Sequence, residues 1–176
     1  MVITRITKRK NRPHLYSVYI DGAIAFDVSD SVLVTCGLRT GDSLSTEKIA
    51  TIKAAESTKE AQHTAINYVS YRPRSSREVL EHLKRKGFSK DLAESVVRHF
   101  QSVSLINDLE FARMFVRDKI RRKHSGKSLL QKLLAGKGIT PSMIDTVLRE
   151  YITDDDQKSA AQELASKRLR LTKRSM

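Results

Sequence analysis

The 176-residue chain reads as a mainly α protein in which tandem three-helix repeats follow a small β-rich N-terminal domain. Three observations carry that reading. The stretches "SSREVLEHLKRKGFSKDLAESVVRHF" (75–100) and "GKSLLQKLLAGKGITPSMIDTVLREY" (126–151) match at an offset of 51 residues. Leu83 aligns with Leu134, Lys86-Gly87 with Lys137-Gly138, Val96 with Val147 and Arg98 with Arg149. Phe88, Val97 and Phe100 fall opposite Ile139, Leu148 and Tyr151. From residue 58 onward apolar residues recur at helical spacing, whereas residues 1–28 alternate as strands do. Capping and turn residues sit where the two patterns change. The expected divisions are 1–57 for the β-rich domain, 58–107 for repeat 1, 108–152 for repeat 2, and 153–176 for the first helix of an incomplete repeat 3.

Each element has a local reason. "VITRITK" alternates, with Val2, Thr4 and Ile6 opposite Ile3 and Arg5; "LYSVYI" is rich in β-formers, and Asp21-Gly22 marks a hairpin before "AIAFDV". Ser29 or Asp30 caps a short helix that Gly37 ends, and Gly41 marks a further turn. Ser45 opens a helix through "TEKIATIKAAES". A separate helix, "TKEAQHTAINYVSY", then places Ala61, Ala65, Tyr68 and Val69 on one face and stops before Pro73. Ser75 and Glu78 form a capping box for the second helix of repeat 1, Gly87 ends it, and Ser89 caps the third. In repeat 2 Asp108 caps a helix whose apolar face is Leu109, Ala112, Val116 and Ile120, flanked by Phe111 and Phe115. That helix breaks at Ser125-Gly126, and Thr140 with Pro141 opens the last helix of the unit. "DDDQKSAAQELASKRLRL" aligns Ala161 with Ala112 and begins a third unit. One such unit buries little surface, so neighbours are expected to stack.

Composition narrows the function classes. Lys plus Arg number 33 against 20 Asp plus Glu, a net charge of +13. The excess runs along the whole chain, which favours a long contact with a polyanion over a basic tail. A single cysteine, Cys36, forbids an internal disulfide and fits a cytoplasmic location. No membrane-length apolar run and no signal peptide are read, so no membrane partner is expected.

The residues also resemble a known family. "YRPRSSREVLEHLKRKGF" followed by "LINDLEFARMFVRDKIRRKHSGKSLLQKLLAGKGI" is similar to the RecX family, bacterial regulators of the RecA recombinase. The matching positions are Arg72, Arg74, Ser75, Glu78, Leu83 and Lys86-Gly87, then Ile106 to Asp108 with Phe111-Ala112. Gly126, Leu134 and Lys137-Gly138-Ile139 complete them, and the likeness covers roughly residues 60 to 170. The resemblance implies a curved array of repeats lying in the groove of the RecA filament on single-stranded DNA, inhibiting strand exchange and ATP hydrolysis. It implies a regulator in DNA repair and recombination; the residues themselves show no catalytic constellation, so no enzyme activity, cofactor or metal is expected. Two departures stand out. The family normally completes a third repeat, and only some members carry a β-rich N-terminal segment.

The candidate contact residues are cations on helix faces and ends. Arg113, Arg117 and Arg121 recur at four-residue spacing and form one stripe, and guanidinium forks suit phosphate and carboxylate. Arg122, Lys123 and Lys127 crowd the turn that follows, beyond what a helix C-terminus needs. Arg72, Arg74, Arg77, Lys84, Arg85 and Lys137 complete the set. "KRKNR" at 8–12 reads as a solvated hairpin loop. "SGKS" at 125–128 is similar to the end of a phosphate loop, but Arg121 stands where that loop needs glycine. Asp154-Asp155-Asp156 reads as helix capping, and the histidines at 14, 63, 82, 99 and 124 share no ligand spacing. His82 and His99 read as partly buried helix residues. The expected protein is a monomer that binds the recombinase filament, with weak DNA binding of its own. The rival reading is a sequence-independent protein competing for single-stranded DNA.

Overall fold

The computed structural model describes residues 1–122 and 126–152. Strands β1 (Ile3–Arg9), β2 (Arg12–Ile20) and β3 (Ala23–Ser29) form an antiparallel meander in the order β1-β2-β3. Asp21 (φ 48°) and Gly22 (φ 89°) supply the two left-handed residues that a tight two-residue hairpin requires. Strict alternation fails in β1. A register shift between Ile3 and Arg5 puts both Ile3 and Ile6 toward the core, opposite Ile20 and Val18. One extra residue at a bulge reverses the phase of the strand, which composition does not reveal.

Helix α1 (Asp30–Thr35) is capped by Ser29, whose hydroxyl accepts from the Val32 amide. Helix α2 (Thr46–Ser70) is one continuous rod of 25 residues, capped by Ser45. The expected separate helices therefore give way to a single element. Nothing between Thr46 and Ser70 is glycine or proline, so nothing stops the helix. Its first half buries Ile52 against the sheet core, and its second half buries Ala61 and Ala65 against repeat 1. At about 100° per residue, the passage from Ile52 to Ala61 turns the buried face by about half a revolution. The two domains thus sit on opposite sides of one shared helix.

Helices α3 (Ser76–Arg85) and α4 (Lys90–Ser102) pack with the end of α2 around Val79, Leu83, Val96 and Phe100. Helices α5 (Asp108–Arg122), α6 (Lys127–Gly136) and α7 (Pro141–Tyr151) enclose Ala112, Val116, Leu130, Leu134 and Val147. The aligned pairs take equivalent places: Leu83 and Leu134 are both fully buried, as are Val96 and Val147 to within 1%. The expected incomplete third repeat lies outside the described residues.

Gly87 (φ 92°) and Gly138 (φ 81°) both turn corners in the left-handed region. Their surroundings differ. A Cβ on Gly87 would meet nothing within 4 Å, whereas one on Gly138 would stand 2.6 Å from Cβ of Arg77 in the other repeat. Gly87→Ala should therefore cost about 1–2 kcal/mol, the strain of a left-handed alanine. Gly138→Ala should cost clearly more, because the clashing atom is fixed to the α3 backbone. Urea unfolding of the two variants checks this; equal losses would mean the repeats do not touch here.

Candidate functional site: the repeat junction and the basic faces

The α3 N-terminus leaves backbone N–H groups without helical partners, and Ser75 and Glu78 satisfy two of them. The buried Ser75 hydroxyl accepts from the Glu78 amide (3.2 Å), and the Glu78 carboxylate accepts from the Ser75 amide (3.3 Å). The same side chains also hold repeat 2. The Ser75 hydroxyl donates to the Lys137 carbonyl (2.7 Å), and the Lys137 ammonium donates to Glu78 (2.6 Å). The Arg72 guanidinium reaches the same carboxylate at 3.2 Å. Burial alone would raise the pKa of Glu78, but Lys137, Arg72 and the Ser75 amide together hold it below the ordinary value.

Asp108 belongs to this joint too. It was expected as a cap, but Asn107 performs that role, its side-chain oxygen accepting from the Leu109 and Glu110 amides (3.0 and 3.1 Å). Asp108 instead accepts from the Ser76 amide of repeat 1 at 2.7 Å. The acid nearest the helix start was one residue too late for the cap and well placed for a neighbour.

Of the expected contact residues, several are occupied within the fold. Arg72 and Lys137 serve Glu78, and Arg77 lays its stem along Gly138. The Arg74 guanidinium lies 4.0 Å over the Tyr68 ring, which stacks on His82 at 3.9 Å. Burial, then the charges of Lys86, Arg85 and Arg74, lower the His82 pKa. His99, expected to be partly buried, is exposed at the edge of the α4 apolar face, its ring 6.1 Å from that of Phe100. Lys84 sits 3.5 Å from Glu81, and Arg85 is exposed.

The α5 stripe divides. Arg113 makes a fork to Glu150 of α7 (2.9 Å twice) and also binds Glu110, contacts that raise its pKa. It fastens α5 to α7. Arg117 and Arg121 are exposed and have no ion pair among the described residues. Lys127 is exposed at the start of α6. The Arg122 side chain and Lys123 lie outside the described residues. The three arginines share a spacing and not a duty, since among the described residues only Arg113 has a carboxylate from another helix within reach.

One surface escaped the sequence reading. Tyr71, 92% exposed, stands beside Leu105 and Met114 along a groove between the repeats, with Phe111 at its floor and Arg72 and Arg74 on its rim. The available signal was an aromatic residue placed after the last helical turn and before Pro73, where no core can claim it.

The joint makes stability pH-dependent. Because the folded pKa of Glu78 lies below the ordinary 4.5, its contribution is complete above that pH and is lost as pH falls through the folded value. Glu78→Gln should cost about 1–3 kcal/mol at neutral pH, since it leaves Lys137 without its partner. The variant should also lose less stability than the parent on acidification below about pH 4.5. Urea midpoints for both proteins across that range measure the difference, and parallel curves would show that Glu78 does not govern it.

Comparison with known proteins agrees with this architecture. Residues 61–100 match the first three-helix domain of RecX, and residues 107–148 match the second. Regulatory protein RecX of Lactobacillus gasseri is 35% identical over 88% of this chain and 56% of its own length. That of Listeria monocytogenes serotype 4a is 29% identical over 93% of this chain and 61% of its own. The chain thus spans somewhat more than half the length of these relatives. A crystal structure of regulatory protein RecX superposes with a TM-score of 0.80 at 30% identity, covering 98% of this chain and 84% of that one. RecX from Lactobacillus salivarius superposes at 0.58 with 27% identity, over 64% and 73% of the two chains. With both three-helix domains matched in tandem and the whole architecture shared, the chain belongs to the RecX family.

Proposed function

We propose that this chain regulates the RecA recombinase by binding its filament on single-stranded DNA, and that it inhibits strand exchange and ATP hydrolysis without being an enzyme itself. Membership in the RecX family carries the reading. The protein acts in the cytoplasm as a monomer. No helix among the described residues is long and apolar enough to cross a membrane.

Geometry suggests how binding would work. Repeats 1 and 2 are clamped through Ser75, Glu78 and Lys137, so they present one stiff surface. Arg85 of repeat 1 and Arg117, Arg121 and Lys127 of repeat 2 are exposed cations available to acidic protein groups or to phosphates. The groove beside Tyr71 accepts an apolar side chain, the central anchor that protein interfaces use. A stiff body engaging adjacent filament subunits at both places would hold them in a state that cannot extend.

The test separates the two contacts. Arg117→Glu with Arg121→Glu should keep normal helicity, weaken filament binding and flatten its salt dependence. Tyr71→Ala should weaken binding about tenfold with the salt dependence unchanged, since it removes an apolar contact. Reversal of Arg113 should instead lower the melting temperature, because it breaks the tie between α5 and α7. Strand exchange and filament affinity are the readouts. Parent-like binding by both surface variants would overturn the assignment, and equal affinity for bare single-stranded DNA and filament would favour simple competition for DNA.

A further inference from the structure

We infer that the hairpin joining β1 and β2 is a separate contact for the phosphate backbone of nucleic acid. The sequence reading treats "KRKNR" as a solvated loop, and the repeats do not need it. Its geometry shows more. β3 ends against β2 with Ser29 opposite Leu15, so the hairpin tip runs on past the sheet. Every residue from Lys8 to His14 is exposed.

Arg9 pairs directly across the ribbon with Arg12. Like charges placed opposite one another destabilise a strand pair, so the free protein gains nothing from this arrangement. Of the four cations at the tip, only Arg9 finds an acid, Asp27 at 2.6 Å, which the Ser17 hydroxyl also holds. Lys8, Lys10 and Arg12 have no ion pair among the described residues. Asp27 thus draws one guanidinium back onto the sheet and leaves three charges directed at solvent.

The chemistry favours phosphate over an acidic protein. Residues 8–14 are Lys, Arg, Lys, Asn, Arg, Pro and His, with no large apolar side chain. A protein interface of useful affinity is centred on aromatic or aliphatic anchors, which this tip lacks. Phosphate contacts need only cations and are made largely without reading bases. Single strands and duplexes share that chemistry, and the experiment distinguishes them. The inference does not rest on the proposed role at the recombinase, because its readout contains no recombinase.

The full chain carrying Lys8→Gln, Lys10→Gln and Arg12→Gln is compared with the parent by fluorescence anisotropy on oligo(dT) and on a duplex, across a salt series. A control variant, Lys48→Gln with Lys59→Gln and Lys132→Gln, removes the same charge from exposed helix positions. Circular dichroism confirms the fold of each. The hairpin variant should bind more weakly, and the slope of log affinity against log salt should fall by about 2 on the single strand, for three phosphates at about 0.7 each. A fall on only one DNA form supports the inference and names the form. Equal losses in the hairpin and control variants would reduce the effect to net charge and overturn it. So would an unchanged slope, or a parent with no measurable affinity for either DNA.

Discussion

The first turn of α3 is where the architecture is most constrained. A helix start must satisfy its own amide groups, and Ser75 and Glu78 do this with side chains that are also the contact to the next repeat. Local helix stability and repeat docking are therefore one energetic event. Removing either side chain would expose orphan amides in repeat 1 and strip Lys137 of a partner in repeat 2. Asp108 adds a reciprocal tie, receiving the Ser76 amide at the start of its own helix. The joint is polar, yet no buried side-chain nitrogen or oxygen among the described residues lacks a partner.

The second repeat does not carry the same device at the matching place. Fifty-one residues beyond Ser75 and Glu78 stand Gly126 and Leu129, so α6 begins on a glycine without a side-chain cap, and Leu129 is half exposed. The two units share a core pattern but not a joint. Repetition preserved what each three-helix unit needs to fill its interior, while its outer faces diverged to meet different neighbours.

Positive charge, the loudest feature of the composition, divides into distinct duties once the chain is folded. Arg113, Arg72 and Lys137 bind carboxylates that the chain itself supplies, and Arg74 rests on Tyr68. Arg117, Arg121 and, in the β1–β2 hairpin, Lys8, Lys10 and Arg12 keep their charges facing outward. A cation turned toward a half-buried carboxylate strengthens the fold, and one without such a neighbour is left to a partner. A residue count cannot tell these apart.

Sequence by itself determined the elements whose causes are local. The Ser45, Ser75, Ser89 and Thr140 caps, the Asp21-Gly22 turn, the apolar faces of repeats 1 and 2 and the glycine corners all act within a few residues of their own position, so each could be read in place. The α5 cap could not, because Asp108 is drawn to the Ser76 amide of repeat 1 and leaves the role to Asn107. The helix from Thr46 to Ser70 was misjudged because its apolar face rotates midway, and only the two cores on either side explain why. Lys86-Gly87 and Lys137-Gly138 show the division most plainly. The dipeptides are identical and both glycines adopt positive φ, as the local turn demands. Yet Lys86 is exposed, while Lys137 is clamped by Glu78 and Gly138 lies against Arg77. That difference arises from atoms some sixty positions away in the chain, brought together by packing, and no local pattern contains them.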